Sequence, residues 1–83
     1  MLQNPVSNKD LDIIRTGLMR CQRVEVDRSL GPLRIRLSVQ PAANIWPVAD
    51  LVRLEMWYGA IYSSQLFDSV EGADRALKEV TSR

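Results

Sequence analysis

Histidine is absent from the 83 residues, and cysteine occurs once, at Cys21. Without an imidazole there is no usual base for a Ser or Cys nucleophile and no His metal ligand, and a single thiol cannot build a zinc site of the Cys/His kind. The lone cysteine also excludes an intramolecular disulfide framework. Its helix-like surroundings point to a buried thiol in a reducing, cytoplasmic setting. No apolar run approaches the ~18 residues a membrane-spanning helix needs, and the N-terminus lacks a basic segment leading into an apolar one. Glycine is scarce, and neither Leu30-Gly31-Pro32 nor Val70-Glu71-Gly72 matches a phosphate-binding or dinucleotide fingerprint.

The carboxylates offer little for acid–base chemistry. Asp10 and Asp12 are two apart on a helix and do not share a face, Glu25 and Asp27 have arginine partners across a hairpin, and Asp68 with Glu71 suits a helix cap. Cys21 lies between Arg20 and Arg23 but continues an apolar stripe and has no base. No catalytic residue, metal or cofactor is expected.

What is present describes one small folded domain, residues 1–83, with 1–6 as a flexible N-terminal segment. The hydrophobic fraction is 46% and the charged fraction 25%, which argues against disorder. A core of this size supplies only a few kcal/mol, about 3–5, so added burial against a partner would be useful.

Ser7 with Asp10 three residues later resembles a capping box, and Leu11, Ile14, Leu18 and Cys21 recur at helical spacing, predicting a helix over about 8–22. Gly17 inside it costs about 1 kcal/mol unless something packs closely there. From Arg23 the period falls to two. Val24 and Val26, then Leu33, Ile35, Leu37 and Val39, alternate with charged or polar residues on either side of Ser29-Leu30-Gly31-Pro32, which predicts a hairpin. A four-residue loop there sets Asp27 opposite Arg34 and Glu25 opposite Arg36.

Residues 41–47, bracketed by Pro41 and Pro47, read as a connection. Val52, Leu54, Met56 and Tyr58 alternate without exception with Arg53, Glu55 and Trp57. A strand is preferred there, although Pro47 and Gly59 would also suit the two ends of a helix. Gly59 fits the first central position of a type II′ turn, which sets Trp57 opposite Tyr62. Residues 61–67 follow as an edge strand, and Val70, Ala73, Leu77 and Val80 mark a last helix capped by Asp68.

The fold class is therefore α+β, a two-layer sandwich. An antiparallel four-stranded sheet of two hairpins carries the N- and C-terminal helices on one face, in the order α-β-β-β-β-α. Tyr58 and Phe67 are assigned to the core. The second face carries Glu25, Asp27, Arg34, Arg36, Arg53, Glu55 and Trp57, and nothing in the chain is left to cover it.

All five aromatic residues lie between Trp46 and Phe67. Trp57 and Tyr62, flanked by Arg34, Arg36 and Arg53, form the candidate binding patch, with Trp46 as a second aromatic. Exposed Trp, Tyr and Arg are the types enriched in binding hot spots. The expected function is a non-enzymatic protein–protein interaction module, an inhibitor, regulator or accessory subunit, whose partner is another protein or a second copy in a homodimer. The alternative is a single-stranded nucleic-acid-binding protein using the same arginines and aromatics. It is disfavoured because three acidic residues balance three arginines on that face.

Overall fold

A computed structural model describes residues 4–20, 22–40 and 51–81. The expectations for Cys21, for Trp46 and for the connection at 41–47 lie outside these residues. The element order is α1 (Asn8–Met19), β1 (Glu25–Leu30), β2 (Leu33–Gln40), β3 (Leu51–Tyr58), β4 (Ile61–Phe67) and α2 (Val70–Thr81). The four strands form one open antiparallel meander in sequential order, with β1 and β4 at its edges.

Helix α1 begins with the expected capping box. The Ser7 hydroxyl accepts from the Asp10 N–H at 3.2 Å, and the Asp10 carboxylate accepts from the Ser7 N–H at 3.1 Å. Val6 precedes the cap, Leu11 lies four positions into the helix, and both are buried in the core, as in a hydrophobic staple. The core thus reaches back to Val6, within the segment expected to be flexible. The helix ends at Met19, earlier than its apolar stripe implies, and the Gln22 N–H closes the turn onto the Gly17 carbonyl at 2.9 Å. Close packing explains Gly17: a Cβ there would lie 2.2 Å from a Val24 methyl.

The first hairpin turns in two residues rather than four. Gly31 adopts φ +61°, Pro32 supplies the negative φ of the second centre, and Leu30 pairs directly with Leu33. Pairing is consequently offset by two residues from the sequence expectation, so Asp27 opposes Arg36 and Glu25 opposes Ser38. A two-residue offset leaves every side chain on its expected face. The second hairpin pairs Trp57 with Tyr62 around Gly59 at φ +60°, as expected.

On the helix-bearing face, Val26, Leu33, Ile35, Leu37, Val39, Val52 and Leu54 are buried with Ile14, Val70, Ala73 and Leu77 from the helices. Tyr58 is not part of this core; it is 44% exposed near the hairpin tip. Phe67 is half-buried and packs against the core, close to Gly72 of α2. Helix α2 is capped by Ser69 rather than Asp68, since the Ser69 hydroxyl accepts from the Gly72 N–H at 3.1 Å and the Ser69 carbonyl from the Ala73 N–H. Its stripe ends on buried Thr81, four residues after Leu77, leaving Val80 half-buried. Thr81 Oγ1 donates to the Leu77 carbonyl at 3.0 Å.

Candidate protein-interaction face

The parity of the strands builds the open face. In β2, Arg34 and Arg36 point away from the helices because Leu33, Ile35 and Leu37 point towards them. In β3 the same rule turns Arg53, Glu55 and Trp57 to that face, where all three are half-buried. Cross-strand pairing then sets Arg34 against Trp57 and Trp57 against Tyr62, a row running across three strands.

Half-buried Trp57 is the centre of this row. The Arg34 guanidinium carbon lies 4.7 Å from its ring centroid and that of Arg36 lies 5.3 Å away. Both fall within cation–π range. On the other side the Tyr62 ring lies 5.1 Å from Trp57, tilted at 45°.

Asp27 fixes the two arginines. Its carboxylate accepts from Arg34 Nε at 3.1 Å and Arg34 Nη2 at 2.7 Å, the two-pronged geometry that holds a guanidinium plane in one orientation, and from Arg36 Nη2 at 3.3 Å. Arg36 also lies 3.5 Å from Glu25 and 3.8 Å from Glu55. The charge pairs anticipated across the hairpin therefore form as diagonals. The hydrogen bonds of Arg34 are the leading influence holding Asp27 below the ordinary value of 3.8, against desolvation, with the charge of Arg34 and the contact of Arg36 acting in the same sense. The Arg34 guanidinium is raised in return, chiefly by its hydrogen bond with Asp27. Asp27 remains ionised at neutral pH and serves as an anchor rather than a proton donor.

Four of the sequence-predicted residues, Arg34, Arg36, Trp57 and Tyr62, are brought into one cluster. Arg53 shares the face but stands four residues along β3 from Trp57, about 13 Å at the rise of a strand. Its Nε is buried without a hydrogen-bond partner among the described residues. Trp46 lies outside them.

Two participants escaped the sequence selection. Glu55 accepts from the Tyr62 hydroxyl at 2.7 Å and faces Arg36, tying the aromatic side of the cluster to the cationic side. Leu66, paired with Arg53, is 52% exposed on the same face. Strand alternation placed Leu66 beyond Tyr62, but the interrupting Ser63, Ser64 and Gln65 masked that signal.

No helix among the described residues is long and apolar enough to cross a membrane. Comparison of the chain with protein-family models, with curated proteins and with solved structures finds no match. The functional reading therefore stands on the geometry of the face alone.

Proposed function

We propose that this protein is a small interaction module, an inhibitor, regulator or accessory subunit of cytoplasmic machinery, that recognises another protein through its open sheet face. The observation carrying this reading is Trp57 held between two arginines and Tyr62 on the sheet face opposite the two helices, which no other described element covers. Trp and Tyr supply large contact areas with few rotamers to freeze, and Arg adds a planar guanidinium that stacks and donates several hydrogen bonds, which fits their enrichment in interface hot spots. Asp27 and Glu55 orient the arginines and the tyrosine before any partner arrives, lowering the cost of ordering them. The same ion pairs oppose a nucleic-acid role, because phosphates would compete with carboxylates already bound to Arg34 and Arg36.

The test is affinity purification from the source cell, with and without nuclease, of the wild-type protein and of a Trp57→Ala/Arg36→Ala variant shown to be folded by circular dichroism. The reading expects a stoichiometric protein partner that survives nuclease and is lost by the double variant. Retention of that partner by the folded variant would reject the face, and release by nuclease would replace the reading with a single-strand nucleic-acid binder.

A further inference from the structure

Strand β4 has the sequence Ile61-Tyr62-Ser63-Ser64-Gln65-Leu66-Phe67, without a charge or a proline, and forms one edge of the sheet. Natural edges are usually protected by those residue types. Its exposure is also unusual: Ile61 is 69%, Tyr62 51% and Leu66 52% exposed.

The segment is close to a palindrome of polarity, two apolar residues at each end of three polar ones. An antiparallel pairing of β4 with its own copy, centred on Ser64, sets Tyr62 beside Leu66 of the second copy on the open face. On the helix face it sets Ile61 beside Phe67. The polar residues meet one another, Ser63 against Gln65 and Ser64 against Ser64. Exposed apolar side chains are thereby matched with apolar ones, and no like charges meet.

Backbone chemistry agrees with this register. A two-residue turn makes Tyr58 and Ile61 a hydrogen-bonded pair, and the alternation of an antiparallel ladder then directs the N–H and C=O groups of Tyr62, Ser64 and Leu66 away from β3. Those are the groups the Ser64-centred register joins, Ser64 to Ser64 and Tyr62 to Leu66 twice, for about six backbone hydrogen bonds. Shifting the two-fold axis by one residue in either direction keeps only about four.

We propose that the protein is a homodimer in which two β4 edges pair antiparallel about Ser64 to make one continuous eight-stranded sheet. The occupant is a second copy because the edge is complementary to itself, the property an isologous two-fold interface requires. The dimer joins the two open faces and puts Leu66 of one copy beside the Trp57–Tyr62 pair of the other. This inference goes beyond the partner-recognition reading and does not depend on it, since the pairing uses β4 and not the Trp57 cluster.

Sedimentation equilibrium of the purified full chain tests the dimer. Wild type and Trp57→Ala should both sediment as concentration-dependent dimers, whether or not Trp57→Ala still binds a partner protein. Ser64→Pro removes only an outward N–H, which an edge strand tolerates, and should weaken dimerisation at least about 100-fold. A second readout holds if Ser64→Pro fails to fold. In a Cys21→Ser background, Ser64→Cys should form a disulfide-linked dimer in a glutathione redox buffer, while Leu66→Cys should not, because its copies lie about 13 Å apart in this register. A wild-type monomer at the highest concentration, an undiminished dimer of folded Ser64→Pro, or equal cross-linking at 64 and 66 would overturn the proposal.

Discussion

The β1 edge carries Glu25, Asp27 and Arg28 within six residues, and all three are engaged: Glu25 with Arg36, Asp27 with Arg34 and Arg36, and Arg28 across to Asp10 of α1 at 3.1 Å. The β4 edge, at the opposite side of the same sheet, has no charge in seven residues and leaves Ile61, Tyr62 and Leu66 in solvent. Both edges turn the backbone groups of every second residue away from the neighbouring strand, and on β1 the Asp27 carbonyl among them accepts from Arg28 Nη1 at 3.0 Å. Only β1 adds side chains that would have to be desolvated before another strand could approach, so the same ladder that is guarded on one side is open on the other. Trp57 stands between the two edges and shares in both, with arginines bound by β1 carboxylates on one flank and Tyr62 of β4 on the other.

The largest effect should come from a change that makes the edges equivalent by removing the core beneath both. Leu54 is fully buried in the inner strand β3, and Leu54→Ala should cost about 2–5 kcal/mol. That is comparable with the whole stability of a domain this size, so denaturant titration should find the variant largely unfolded and amide exchange should rise in β1 and β4 alike.

Packing at the β1 end is next. Gly17→Ala gains helix propensity but drives a methyl into Val24, whose short branched side chain or backbone must shift to admit it. A net loss of about 1–3 kcal/mol in urea denaturation is expected, with the outward amides of β1 losing protection before those of β4.

Asp10→Asn tests the ion pair that ties Arg28 to α1 and should cost about 1 kcal/mol through the weakened cap and pair. Its pH dependence is specific. The hydrogen bond from the Ser7 backbone, followed by its hydroxyl and by Arg28, holds Asp10 below the ordinary value of 3.8 despite burial. A carboxylate depressed in the folded state stabilises above its unfolded value and loses that contribution as pH falls through the folded one. Wild type should therefore weaken as pH drops below 3.8, and Asp10→Asn should show a shallower loss when urea midpoints at pH 6 and pH 3 are compared.

The smallest effect on the monomer should come from the open edge itself. Leu66→Thr changes a half-exposed strand position and should alter monomer stability by no more than about 0.5 kcal/mol. It should nevertheless weaken self-association measurably by sedimentation, because it breaks the match with Tyr62.

Much of this contrast was legible in the sequence because strand parity is robust. Uninterrupted alternation in 33–39 and 52–58 assigned both faces correctly even though the first hairpin was registered two residues off, since an even shift preserves every side chain's side. What parity cannot supply is turn length. Gly31-Pro32 completes a turn alone, because glycine takes the positive φ and proline the negative one, and this places Asp27 between two arginines instead of opposite one.

Helix ends were less legible for the same local reason. Asp68 and Ser69 are both good caps, and the choice of Ser69 is made where the chain leaves β4. Tyr58 follows the inward alternation, yet it lies at the hairpin tip, where alternation continues but burial does not. Recognition of Glu55 as a support for Tyr62 required the diagonal reach of two side chains, which pattern alone does not report.

The contrast between the edges is tested most directly by amide hydrogen exchange measured residue by residue at low and high protein concentration. The outward amides of Tyr62, Ser64 and Leu66 should gain protection as concentration rises, while those of Glu25, Asp27 and Ser29 on the guarded edge should not change. Protection that is independent of concentration at β4, or that grows equally at β1, would contradict the account.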